Sequence, residues 1–444
     1  YLDTGWVSSD STIELPNSSS IWIADKNTIG VNEPVKLTWT SDQNITFEKI
    51  ITLDENYLFS VDQRVINNSG LSFDLYPYGL SKRQGIPEMQ NFFILHEGPL
   101  SITDGVLEEY DYDDLKDDKK IKHSSVGGWI GMTDKYWQTA IIPNQNEPVQ
   151  QTYSYSFVDN IDNFQTDIVG ERIAVSNNAS ISHNFKIFAG PKIVNIIDKY
   201  MEEYGFDGFD RSVDFGWFYF LTKPIFNVLE FIYGYVGNFG WSIILFTVLM
   251  RICFFPLAQQ SFKSMAKMKK LAPEMQRLKE QYGDDRAGMQ KEMMALYKRE
   301  KANPIAGCLP ILLQIPVFFA LYKVLFVTIE MRHAPFIGWV HDLSAPDPLG
   351  ALTLFGFVEW NVPGILQILN VGIWPILMGI SMYIQFKLNP APVDKMQAKI
   401  FGLLPIVFTF ILGGFAAGLV IYWTTNNVLS MAQQYIIQRK IMKS

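Results

Sequence analysis

FGWSIILFTVLMRICFFPLA, residues 239–258, carries one charge, Arg251. Its length matches the roughly 20 residues that a helix needs to cross a ~30 Å hydrocarbon layer, so the run predicts a transmembrane helix with a guanidinium inside it. Placing Arg at the centre of such a helix costs about 2.5–3.5 kcal/mol on insertion scales, which is why intramembrane arginines face a wet cavity, a polar partner or a substrate. Arg251 lies seven residues before Ala258, about 10 Å along a helix axis. The charge therefore belongs to one leaflet rather than to the midplane.

Working outward, the chain divides into two unlike parts near residue 210. Residues 1–210 hold 15 Lys/Arg against 32 Asp/Glu, and residues 211–444 hold 22 against 13. Nearly all the long apolar runs fall in the second part, so a whole-chain mean hydropathy near zero hides a membrane protein with a large water-facing domain. The two cysteines, Cys253 and Cys308, lie in or beside apolar runs, so the acidic part has no disulfide framework. About 200 residues bury enough surface to fold without one. No basic-then-apolar leader opens the chain at Tyr1, and an exported acidic part implies a signal or anchor helix upstream.

In the acidic part the apolar period is two. Tyr57, Phe59, Val61 and Val65, then Tyr153, Tyr155 and Phe157, then Ile181, His183, Phe185, Ile187 and Ala189 alternate with other residues, which predicts strands stacked as an all-β sandwich. The acidic run Glu108–Lys122 lacks EF-hand ligand spacing and reads as a solvated loop. Residues 213–236 combine nine aromatics with Asp214, Lys223, Pro224 and Glu230. Aromatics with scattered charge suit the headgroup boundary, so this segment reads as an amphipathic helix on the outer surface.

Further apolar runs follow at Ile305–Ile329, Asn361–Phe386 and Ile400–Gln438, the last roughly twice the length of one span and broken by Gly413, Gly414 and Gly418. Lys and Arg crowd Gln259–Asn303, Lys387–Lys399 and the C-terminal tail, whereas Met331–Trp360 has only Arg332. By the positive-inside rule the first three are cytoplasmic and the last is external. The expected order is an external sandwich (1–210), an interfacial helix (211–237), spans at 238–260, 303–330 and 363–387, and two more in a tight hairpin at 399–438. Residues 261–302, the link 388–398 and the tail 439–444 are expected in the cytoplasm, with the external loop at 331–362. The fold class is a multi-domain membrane protein: an all-β external domain, then an all-α five-helix transmembrane core with a cytoplasmic helical hairpin.

That hairpin carries Met265, Met268 and Met275 on one arm and Met289 and Met293 on the other, with Gly283-Asp284-Asp285 between them and Pro273 expected to kink or restart the first arm. Methionine adapts to varied apolar partners, and it also packs two arms together. Both readings are open here.

The runs NPIAGCLPILLQIPVFFALY (303–322), HDLSAPDP (341–348), MAKMKKLAPEMQRLKEQYGDD (265–285) and GLVIYWTTNN (418–427) resemble the YidC/Oxa family of membrane protein insertases, in its Gram-negative bacterial YidC type. The resemblance is nearly continuous over 211–444 and looser over the acidic part. Such members begin with a further transmembrane helix, so the resemblance implies that this chain lacks its first span. It also implies the inner membrane as location, with residues 1–210 periplasmic.

The resemblance further implies a hydrophilic groove, open to the cytoplasm and to lipid, whose positive charge is Arg251. Thr247 precedes it by one turn on the same helix face. Tyr422 and Trp423 hold the family's paired aromatic positions. Trp423 stands where many relatives have tyrosine, and so offers a donor without a phenol's acceptor. Gln314 and Gln385, polar residues inside spans, either line the groove or bond helix to helix. A client would enter with its polar segment near Arg251, and its apolar helix would slide into lipid along Ile315, Phe318, Phe319, Phe401, Leu404 and Phe408. The implied partners are nascent membrane proteins and the bilayer, with the Sec translocon and the ribosome beside them. No cofactor, metal or nucleic-acid substrate is implied.

No GxSxG, Walker A or HExxH pattern is present, and the five histidines are scattered, so enzyme chemistry is not expected. The competing reading is a small-anion transporter or channel, since a buried arginine also suits an anion. Transporters show internal repeats, and this chain shows none.

Overall fold

Among the residues described by the computed structural model (1–89, 95–283, 285–300, 309–389 and 395–443), the chain divides into two units, Tyr1–Asp214 with Val327–Ile329, and Phe215–Phe326 with Glu330–Ser444. The predicted turn residue Asp284, the NPIAGC run with Cys308, and residues 390–394 of the 388–398 link lie outside the described residues.

The first unit is built of strands, in chain order β1 (Leu2–Val7), β2 (Ile23–Ala24), β3 (Val35–Thr40), β4 (Ile45–Leu53), β5 (Leu58–Asn67), β6 (Phe73–Gln84), β7 (Gly98–Thr103) and β8 (Val106–Glu109). They continue with β9 (Lys120–Val126), β10 (Trp129–Thr133), β11 (Trp137–Ile142), β12 (Pro148–Val158), β13 (Ile161–Gly170), β14 (Ile173–Val175) and β15 (Ser180–Pro191). Two sheets result: one ordered β1-β6-β13-β12-β9 with β14 also on β6, the other β2-β3-β4-β5-β15-β11-β10-β7-β8. Period-two burial drives their stacking. Phe164 and Ile168 of β13 pack with Ile130, Ile141 and Phe185 from the opposite sheet, and Trp6, Leu75, Phe47 and Val65 form a second cluster. Each such fully buried side chain contributes about 1.5–3 kcal/mol relative to exposure.

Part of the acidic run is not a loop. Within it, Tyr112–Asp118 forms helix α1, which buries Tyr112 and Leu115 in the sandwich core, while Lys120 onward is strand β9. Asp111 donates its backbone N–H to Asp114 at 3.2 Å, so local capping and two apolar anchors outweigh the repulsion of the carboxylates. The anchors are the signal that charge density concealed.

His183 on β15 meets Trp6 edge-on at 6.3 Å and Phe185 at 4.5 Å. Its Nε2 lies 3.0 Å from the Glu147 carboxylate, and its Nδ1 is buried without a partner. Burial holds its pKa below the usual histidine value, opposed by Glu147. Protonation would place an N–H where no acceptor waits, whereas the unfolded chain takes up the proton freely. Stability is thus full above the unfolded pKa of about 6.5 and falls as pH drops from there toward the depressed folded value. The urea midpoint of the first unit is expected to decrease as pH is lowered below about 6.5. His183→Phe, which keeps the aromatic packing, should flatten that slope.

The helices after α1 are α2 (Val194–Tyr204), α3 (Tyr219–Val236), α4 (Phe239–Cys253), α5 (Phe255–Tyr282), α6 (Arg286–Arg299), α7 (Leu309–Val327), α8 (Ile373–Leu388), α9 (Lys395–Gly413) and α10 (Ala417–Lys443). All but α1, α2 and the final residue of α7, Val327, belong to the second unit. The aromatic segment is helical only from Tyr219, rather than throughout 211–237.

The run 239–258 is not one straight helix. It breaks at Phe254, and α4 and α5 meet at 69°. Pro256 explains the break: its ring has no N–H to give and crowds the carbonyl four residues back, so a new helix starts with proline in its first turn. Pro273, in contrast, sits inside α5 without restarting it. Among the described residues no single helix is long and apolar enough to cross a membrane, whereas the bent pair of α4 and α5 together has the length and composition to do so.

The span expected at 363–387 also begins later, at Ile373. Residues Gly364–Leu369 form a 3-10 turn behind Pro363, and Gly372 precedes α8. The tail expected at 439–444 continues α10 as far as Lys443.

Candidate functional site

One end of the helical unit is tied by polar contacts. Asn238 caps α4 by accepting from the Trp241 N–H at 3.1 Å, and donates its Nδ2 to the carbonyls of Pro335 and Phe336. The Ala417 and Gly418 N–H groups at the start of α10 donate to the carbonyls of Ala345 and Leu343 at 2.7 and 3.0 Å. Gly418 suits the close approach there: a Cβ would come within 3.1–3.2 Å of Leu325, Ile243 and the Leu343 carbonyl, so the neighbours would have to give by a few tenths of an ångström. Arg251 lies 13 residues beyond Asn238, roughly 20 Å along α4, in the last turn before the break.

At that break α4, α7 and α10 bring unlike groups together. Arg251 donates from Nη2 to the Asn426 carbonyl at 3.0 Å, while its Nε is buried without a partner. Beside it is a cavity of about 20 Å³ lined by Met250, Arg251, Phe254, Leu257, Ala258, Gln314 and Asn426. Such a space holds about one water molecule. Gln314 donates to the hydroxyl of Tyr422, which is itself buried. Arg251, Gln314 and Tyr422 thus form one polar cluster in apolar surroundings.

The other sequence candidates lie apart from this cluster. Thr247 is buried and spends its hydroxyl on the Ile243 carbonyl of its own helix at 2.6 Å. Gln385 donates to Ser430 at 3.1 Å, next to an Asn427–Ser381 bond at 3.0 Å, within a seam joining α8 and α10. The Trp423 ring lies 4.8 Å from Phe318 and 6.2 Å from Phe408. Those two phenylalanines therefore pack inward, Leu404 is half-buried, and Ile315, Phe319 and Phe401 are exposed. Sequence reading passed over Asn426, which acts through its backbone carbonyl and so leaves no side-chain signal. The TTNN run that contains it was the available marker.

The methionines also divide. Met265 and Met268 pack with Phe262 and Ile437 of α10, and the Tyr297 hydroxyl of α6 approaches the Met275 sulfur at 3.7 Å. Arg299 and Glu274 pair across the same two arms at 3.3 Å. Met289 and Met293 remain half-buried, and Met294 is exposed.

Residues 231–444 match the family model "60Kd inner membrane protein", and residues 1–228 match "YidC periplasmic domain". A Pelagibacter ubique protein named "Membrane protein insertase YidC" is 49% identical over 442 residues, covering 99% of this chain and 78% of the relative. A Rickettsia canadensis protein of the same name is 46% identical over 440 residues, with the same coverage of each chain. A solved structure described as an active YidC insertase with its first transmembrane domain resolved covers 97% of this chain and 83% of its own, at 18% identity and a TM-score of 0.42.

Proposed function

Because this chain belongs to the YidC family of membrane protein insertases, whose members place proteins in the bacterial inner membrane, we propose that its working site is the Arg251–Gln314–Tyr422 cluster. The protein is an inner-membrane insertase with a periplasmic domain. What it does at residue level is our reading. A client's polar segment enters from the cytoplasm at the α4–α5 break, and its apolar helix leaves into lipid past Ile315, Phe319 and Phe401.

The unpartnered Nε–H of Arg251 carries this reading. A buried donor without an acceptor costs about 1–3 kcal/mol, more when charged, so a client carboxylate or carbonyl that supplies the acceptor recovers that free energy. Tyr422 accepts from Gln314, which leaves its own O–H proton for a second client group. The water-sized cavity must widen on entry, with a client displacing solvent as it binds. Partition of the client's apolar helix then contributes about 0.8 kcal/mol per buried CH₂. Acidic segments gain about 2.3 kcal/mol per charge per 100 mV from the membrane potential. No nucleotide is required by these terms.

The topology we propose places α6 and most of α5 in the cytoplasm and the Asn238–Ala345–Gly418 end toward the periplasm. The scarcity of Lys and Arg in the loop at that end, where Met331–Trp360 has only Arg332, supports it. The Sec translocon and the ribosome are the further partners we propose. Photo-crosslinkers at Gln314 and Phe319 are expected to capture a stalled single-span client. Capture at Met293 alone, with neither of those positions reacting, would place the polypeptide on another route.

A further inference from the structure

The stretch from Leu349 to Gly372, LGALTLFGFVEWNVPGILQILNVG, does not span and is not an ordinary water-facing loop. Its neck is fixed by polar contacts. The Ala351 N–H donates to the Val371 carbonyl at 2.9 Å, and the Leu352 N–H donates to the Asn370 side chain at 3.0 Å. Below the neck, buried Asp347 accepts from the Leu349 N–H, the Trp339 indole and the Trp374 N–H that opens α8. A rigid, hydrogen-bonded base thus holds the segment's two ends together, as in an Ω-loop.

The tip is the reverse. Phe357 is 90% exposed and Ile365 91%, and Leu354, Trp360, Ile368 and Leu369 are exposed with them. Glu359 is the sole charge between Asp347 and Lys387. Leu354 and Phe355 hold φ values of +47° and +57°, a strained region for bulky side chains. An apolar lip that is displayed at the expense of backbone strain and is continuous with the apolar helix α8 is not a water-stable surface. Its backbone is turned by local bonds such as Leu366 N–H to Pro363 O at 2.8 Å. That makes it admissible at the headgroup boundary, though not in the hydrocarbon core, where loops do not survive lipid exposure.

We propose that residues 351–369 form a wedge seated in the outer leaflet of the bilayer, with Trp360 at headgroup level and Phe357 and Ile365 among the upper acyl chains. The occupant is lipid, because the lip runs directly into the α8 helix and carries almost no charge for a polar partner. The inference rests on the topology proposed above, which turns the Asn238–Ala345–Gly418 end toward the periplasm.

The test uses the full chain with Cys253 and Cys308 replaced by serine, carrying Phe357→Cys, Ile365→Cys or His341→Cys, each labelled with an environment-sensitive fluorophore. All three positions are exposed, so folding is not at issue. In vesicles of phosphatidylethanolamine and phosphatidylglycerol, the first two labels are expected to emit to the blue of the third and to lose intensity when dibrominated acyl chains are used. Water-like emission without bromine quenching overturns the proposal. Blue emission without quenching also overturns it, since protein and not lipid then covers the lip. Separately, a membrane-impermeant maleimide added to spheroplasts should label His341→Cys. Failure there overturns the sidedness of the topology, whereas labelling combined with unquenched tip positions overturns only the lipid contact.

Discussion

Arg251→Ala is expected to slow insertion of single-span clients into proteoliposomes by roughly tenfold to a hundredfold, the equivalent of the ~1.5–3 kcal/mol that a hydrogen bond to a charged group contributes. Folding should be little affected. The substitution removes one bond to the Asn426 carbonyl but also a buried, unpartnered Nε–H, and the two terms oppose each other. Arg251→Lys keeps the charge and should retain most activity. The same vesicles separate insertion from the competing chemistry, because an anion pathway predicts chloride or phosphate flux that depends on Arg251. Normal insertion of every tested client by the alanine variant would remove the charge from the mechanism.

Phe164→Ala should have the largest effect on stability, about 3–5 kcal/mol for deletion of a buried aromatic side chain. Phe164 is fully buried on β13, with Tyr112 at 4.7 Å and Tyr155 at 5.4 Å, so the cavity would open where α1 and both sheets meet. Limited proteolysis of the full protein at rising urea should show early cleavage within residues 1–214 and unchanged resistance in the helical unit, since the two have separate cores. Simultaneous loss of both would mean that the units fold as one.

Several elements were legible because their signals are local. Alternation over Ile181–Ala189 marks β15, and Gly413 to Gly418 bracket the turn between α9 and α10. Other elements were misread because a local pattern had two outcomes. Acidic density hid the two anchors of α1, and an unbroken apolar run hid the bend set by Pro256. A low-charge stretch read as one span from 363 is a 3-10 turn followed by a shorter helix. Hydropathy measures transfer from water, and it does not register backbone turns.

The candidate site divides along the same line. Arg251 stood out in sequence because a charge in twenty apolar residues is costly wherever the chain goes. That determined the membrane character of the second part and the place where we propose its chemistry lies. Which polar residues join Arg251 was decided only by packing: Gln314 turns to Tyr422, Gln385 to Ser430 and Thr247 to its own helix, while the guanidinium meets a backbone carbonyl. Side-chain identity sets the cost of burial, but the satisfaction of each donor depends on which helices come together, and that information is held in the tertiary structure alone.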